Sequence, residues 1–143
     1  MSRNKGQRGE REAAALLMGW AKDVVEAVRR AERLLDDVVL VRNLMQSRAG
    51  GYDIDGLPWL ALEVKRHETL SVPAWWRQTL DQTGKGQVAC LMYRMNRTQW
   101  RFKVRVMVGH YGERQTGVSS LDVEMSIDEA KKWFQSELYY RLL

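Results

Sequence analysis

From Trp59 to Arg66 the chain reads W-L-A-L-E-V-K-R, and this alternation constrains the fold more than any other stretch. A strand points successive side chains to opposite faces. Leu60, Leu62 and Val64 therefore share a face suited to a core, while Ala61, Glu63 and Lys65 share the other. Just upstream runs G-G-Y-D-I-D-G-L-P, residues 50–58. Asp55-Gly56 is a strong turn signal and Pro58 is tolerated at a strand start, so Tyr52 to Ile54 and Trp59 to Arg66 are predicted as two short antiparallel strands of a hairpin. Asp53 then stands on the partner strand beside Glu63 and Lys65, which are roughly 6–7 Å apart along their own strand.

Clustered carboxylate oxygens without soft competitors suit a hard cation such as Mg²⁺ or Mn²⁺, and a neighbouring ammonium can orient an attacking water and help deprotonate it. That is the chemistry of phosphodiester hydrolysis. The competing account is a solvated strand face with a weak surface ion pair, because an isolated E-x-K is common by chance. The preceding acid at hairpin distance, the Gly50-Gly51 approach and the apolar alternation together favour a site. Asp55 rivals Asp53 for the metal role, although it fits the hairpin as a turn former at least as well.

The remaining elements alternate between helix and strand, with no internal repeat, low-complexity segment or linker. Helices are predicted at 9–20 and 22–36, the second with Val24 or Val25, Val28, Ala31 and Leu35 at helical spacing. Val38 to Leu44 is a β-branched strand, followed by the hairpin. Ser71-Val72-Pro73 opens a helix with a cap and an early proline, running to about Thr83 before Gly84 and Gly86. Strands follow at 87–94 and 99–108, joined through Met95 to Thr98, and a short one near 120–125. Ser126-Ile127-Asp128-Glu129 is a capping-box start for a last helix that buries Ile127, Ala130, Phe134 and Leu138. At 143 residues the chain fits one domain, 1–143, of α/β class with a mixed central sheet flanked by helices. No apolar run approaches the ~20 residues that span a bilayer, and a signal-peptide core is missing from the first residues, so a cytoplasmic location is expected, that of the host if the chain is phage-encoded.

The net charge of +5 is unevenly spread. Between Gln82 and Gly112 there are six Lys or Arg and no acid, with Arg94, Arg97, Arg101, Lys103 and Arg105 close together. Arg3, Lys5, Arg8 and Arg11 form a second cluster. Such patches match a phosphate backbone, or serve solubility alone. Cys90, the single cysteine, lies in an apolar run and is expected to be reduced core. His67 and His110 have no partner at ligand spacing. Of the tryptophans, Trp59 and Trp100 are assigned to core or interface, and Trp75 to a possible DNA contact.

At these residues the sequence resembles the PD-(D/E)XK nuclease superfamily, and more closely its phage Holliday-junction-resolvase-like endonucleases. The resemblance runs through R-G-E-R-E at 8–12, R-N-L-M-Q-S-R-A-G-G-Y-D-I at 42–54, L-E-V-K-R at 62–66, P-A-W-W-R-Q at 73–78 and Y-R-M-N-R-T-Q-W at 93–100. It implies a restriction-endonuclease-like core and a Mg²⁺- or Mn²⁺-dependent endonuclease acting on branched DNA, four-way junctions above all. Asp53, Glu63 and the Val64 carbonyl would hold the metal, and Lys65 would position the water. Glu10 would be the acid of the first helix and a further metal ligand, although by itself a carboxylate there also suits a capping or dipole role. Gln78, a better match than Gln82, would face the metal site. Arg8, Arg42, Arg48, Arg66, Arg94, Arg97 and Arg101 would contact phosphates. The usual proline before the first acid is Tyr52 here. Nucleases of the same fold acting on nicks, flaps or ends, and a non-catalytic nucleic-acid-binding module, are the alternatives. Resolving a junction takes two cuts, so a symmetric homodimer is expected. Trp133, Tyr139, Tyr140, Leu142 and Leu143 would supply its apolar surface, unless the last helix packs on its own sheet.

Overall fold

Ala13, Leu17, Ala21, Val24 and Val28 recur every three or four residues, and in the computed structural model, which describes residues 2–32, 57–109 and 118–142, they form the buried stripe of one helix, α1 (Ser2–Glu32). Two helices with a break near residue 21 were expected. The helix is continuous because Ala21 is itself fully buried and carries the stripe onward, while Gly19 sits on the exposed side with open space around it. The predicted strand Val38 to Leu44, the hairpin strand bearing Asp53, the turn residue Asp55, Arg42, Arg48, His110 and Leu143 lie outside the described residues.

Among the described residues the elements that follow are β1 (Leu60–His67), α2 (Val72–Gln82), β2 (Val88–Met95), β3 (Arg101–Gly109), β4 (Val118–Met125) and α3 (Ile127–Leu142). The strands form a sheet in the order β1-β2-β3-β4. β1 and β2 are parallel, with Glu63 opposite Leu91 and Lys65 opposite Tyr93, and the other two pairings are antiparallel. A parallel pair needs a crossover, which α2 supplies. The tight β2–β3 connection closes through Thr98 N–H to Met95 O at 3.2 Å, with Arg97 at φ 66°.

Alternation along the strands divides the interior into two layers. Leu60, Leu62, Val64, Cys90, Met92, Phe102 and Val104 pack with α1 and with Ala130, Phe134 and Leu138 of α3. On the opposite face Ala89, Leu91 and Tyr93 pack under Trp75 and Trp76 of α2. The described residues thus form an α/β fold, a four-stranded mixed sheet flanked by helices. The capping box of α3 is reciprocal: Glu129 N–H donates to Ser126 Oγ at 3.2 Å and Ser126 N–H to Glu129 Oε1 at 2.9 Å. α2 differs from expectation in that Ser71 makes no side-chain capping bond, although its carbonyl accepts the first helical bond from Trp75 N–H at 3.0 Å. Cys90 is buried and free, and burial pushes its thiol pKa far up, as expected of inert core. Among the described residues no helix is long and apolar enough to cross a membrane.

Phe134 is 1 % exposed and its ring lies 6.0 Å from Trp20 and 6.3 Å from Trp59. Phe134→Ala should cost about 3–5 kcal/mol of stability, read as a lowered urea midpoint. Tyr140→Ala, at an 80 % exposed position, should change it by less than about 0.5 kcal/mol.

Candidate active site

β1 carries the alternation through as expected on its apolar side, but its other face is not open. Ala61 and Glu63 are 2 % and 6 % exposed. The cover is α2, whose Trp75, Trp76 and Thr79 are buried. Glu63 is therefore a carboxylate taken out of water, which needs charged or hydrogen-bonding partners. It has them. Lys65 Nζ lies 3.1 Å from Glu63 Oε1, and Gln78 Nε2 donates to the same oxygen at 3.4 Å. Gln78 reaches inward from a residue that is itself exposed on α2.

Glu10 joins this group from α1. Burial raises its carboxyl pKa, and the nearby negative charge of Glu63 raises it further. Three distant stretches of chain thus meet here: Glu10 from α1, Glu63 and Lys65 from β1, and Gln78 from α2. Val64, between the acid and the lysine, turns its side chain into the larger core. Among the described residues no group of three or more His, Cys, Asp and Glu side chains is placed to hold a metal ion. Asp53 lies outside the described residues.

The cationic residues divide sharply. Arg66 Nη1 donates to Glu12 Oε1 at 2.7 Å and Arg94 Nη2 to Glu12 Oε2 at 2.5 Å, and both arginine side chains are 15 % exposed. These two, expected at phosphates, spend their charge on a carboxylate of α1. Arg94 also donates to Thr98 O and stacks over Trp100 at 5.2 Å. Arg105 pairs with Asp122 through two contacts, at 2.7 and 3.1 Å, and Trp76 Nε1 donates to Asp122 at 3.1 Å. The Arg105 hydrogen bond is the main cause of the lowered Asp122 pKa. Lys103 sits over the Trp76 ring at 5.4 Å. Arg97 and Arg101 are exposed, and Arg8 is 76 % exposed, 3.9 Å from Glu12.

The aromatic assignments change in one place. Trp75 is core, stacked between His67 and Tyr93 at 5.0 and 6.2 Å, and is not presented to a ligand. His67 thereby has a packing role. Trp59 packs on Trp133 and Phe134, and Trp133 and Leu142 both pack on the chain's own core, while Tyr139 and Tyr140 stay exposed.

Glu12 was missed by sequence reasoning, although it belongs to the same R-G-E-R-E run as Glu10. Its partners are 54 and 82 residues away, so no local spacing signals them. No family model, curated protein or solved structure matches this chain.

The raised Glu10 pKa makes a signed prediction. Well above the carboxylate range Glu10 is charged in both the folded and unfolded states, and the raised folded pKa costs stability there. Below the ordinary carboxylate range it is protonated in both, and the cost vanishes. Glu10→Gln should therefore be more stable than the parent near pH 7, by a few tenths of a kcal/mol because solvent screens this half-exposed group. The gain should fade by about pH 3. Urea midpoints at the two pH values check it.

Proposed function

We propose that this chain is a metal-dependent DNA endonuclease with a restriction-endonuclease-like core of the PD-(D/E)XK type, acting on branched DNA and above all on four-way junctions. One observation carries the reading: a buried strand carboxylate, Glu63, receives the Lys65 ammonium at 3.1 Å and the Gln78 amide at 3.4 Å while a second carboxylate, Glu10, lies within reach of its charge. A sheet strand that only needed to fold would place an apolar side chain at 63, since a buried carboxylate with a second acid near its charge costs stability. Such a pair gains from a cation, and its hard oxygens suit Mg²⁺ or Mn²⁺.

Asp53, Glu63, Glu10 and the Val64 carbonyl would hold the ion. When bound, it would supply a water of lowered pKa and charge stabilisation at a phosphoryl oxygen. The side chains do the remaining work. Lys65, at 21 % side-chain exposure, keeps its ammonium beside the site, where it orients the attacking water and stabilises negative charge as it develops on the phosphate oxygens. Gln78 holds the Glu63 carboxylate at the same oxygen as Lys65, which fixes its orientation. In-line attack on phosphorus expels the 3′-oxygen and leaves a 5′-phosphate and a 3′-hydroxyl.

Arg8, Arg97 and Arg101 are the exposed cations that would meet phosphates, with Arg42 and Arg48 assigned the same role. Arg66 and Arg94 would act through the field they add near the site. A symmetric homodimer would supply two such sites for paired cuts, with the exposed Tyr139 and Tyr140 as its apolar surface.

Glu63→Ala and Asp53→Ala should abolish nicking of a labelled four-way junction in Mg²⁺ while leaving DNA affinity intact or tighter. Near-wild-type cutting by either would defeat the site assignment. Lys65→Ala should lower kcat by 10²-fold or more, on the order expected for a charge-stabilising group, and Gln78→Ala should reduce the rate more than Gln82→Ala. A panel of four-way, flapped, nicked and linear substrates reads the specificity, and light scattering that gives a monomer mass with and without junction DNA would rule out the dimer and with it junction resolution. Raising salt should weaken binding steeply, and Arg97→Glu or Arg101→Glu should flatten that slope.

A further inference from the structure

Glu10 stands between two contacts that fix the amino end of α1 to the sheet. Gly9 is buried, and a Cβ placed on it would come 3.1 Å from Arg66 Cβ, the first side-chain atom of a β1 residue. The backbones of α1 and β1 therefore approach at a distance that suits glycine. One turn further on, Glu12 takes Arg66 at 2.7 Å and Arg94 at 2.5 Å, joining α1 to both β1 and β2. Arg66 is common to the two contacts. The Nε groups of Arg66 and Arg94 are buried without a hydrogen-bond partner, so the network carries a desolvation cost that a purely stabilising device would avoid.

Stability does not call for it. Apolar burial from Ala13 through Val28 already docks α1 beyond its first turns. What the two contacts add is control over where the first turns of the helix lie, and the residue between them is Glu10. We infer that Gly9 and Glu12 are positioning residues, a two-point clamp through Arg66 that sets Glu10 against Glu63. This rests on the nuclease reading, in which those two carboxylates share a cation. The R-G-E-R-E run then works as one unit: a close-approach glycine, an acid at the site and an acid at the clamp. Displacements of about 1 Å at reacting groups cost on the order of 10²-fold in rate, so a few tenths of an ångström at Gly9 are expected to be felt.

The test uses the full chain with Gly9→Ala, Glu12→Ala, Glu12→Gln and, as a control on the same helix, Gly6→Ala, where a Cβ meets nothing within 4 Å. Three quantities are read: Mn²⁺ affinity by calorimetry without DNA, kcat and KM for junction nicking, and the thermal midpoint. Gly9→Ala alters no charge and installs a better helix former, so its midpoint should hold. Its kcat should nevertheless fall about tenfold or more, with KM within about twofold and Mn²⁺ affinity reduced in parallel. Glu12→Gln, which retains a hydrogen-bond acceptor, should lie between the parent and Glu12→Ala, and Gly6→Ala should match the parent. Should Glu12→Ala fail to fold, Gly9→Ala still decides the matter. Parent-like kcat and Mn²⁺ affinity in Gly9→Ala would overturn the clamp alone, as would a loss accounted for by unfolded protein. A parent chain that neither binds Mn²⁺ nor nicks DNA would overturn the nuclease reading, and the clamp with it.

Discussion

Keeping a carboxylate inside the molecule is the constraint around which these elements are arranged. Glu63 sits in the middle of a strand covered on both faces, at 6 % exposure. An unpaired charge there would be prohibitive. The strand's own period brings Lys65 to the same face, and the crossover helix required by parallel pairing brings Gln78 over the top. The helix that covers Glu63 is thus also the helix that satisfies it. Trp75 and Trp76 make that cover dry, which strengthens each electrostatic contact beneath them.

The arginines follow the same alternation. Arg94 projects toward α1, where Glu12 awaits it, whereas Lys103 and Arg105 project to the α2 face, where Trp76 of α2 and Asp122 of β4 receive them. A cluster that is compact in sequence is consequently divided between two faces of the sheet. Its net charge overstates the cation left for a partner, since Arg105 pairs with Asp122 and Arg94 shares the Glu12 carboxylate with Arg66. Arg97 and Arg101 remain at the surface near the β2–β3 turn, the one close by the carboxyl ends of the parallel strands.

The elements that could be read from the chain are those whose signal is local. The 2-residue period of β1, the proline and glycine limits of α2, the capping box at Ser126 and the stripe of Ala130, Phe134 and Leu138 all appear in the structure near the expected residues. α1 was divided in two because Gly19, near its middle, weakens local helix propensity, which says nothing of the same face staying buried through Trp20, Ala21 and Val24. Glu63, Lys65, Gln78 and Glu10 were each legible as candidates, and the structure groups them. Asp53 lies outside the described residues.

By itself the sequence determined which side chains share a face, because periodicity is a property of neighbouring residues. It settled that Glu63 and Lys65 would point the same way, that Leu60, Leu62 and Val64 would enter a core, and that α3 would begin at a reciprocal cap. Only the tertiary structure decided what those faces meet. The burial of Glu63, the removal of Trp75 from the surface, the pairing of Arg66 and Arg94 with Glu12, and the close passage of Gly9 over Arg66 each join residues far apart along the chain. No local pattern encodes such meetings, since they depend on how whole helices settle on the sheet, where a few tenths of an ångström separate contact from clash.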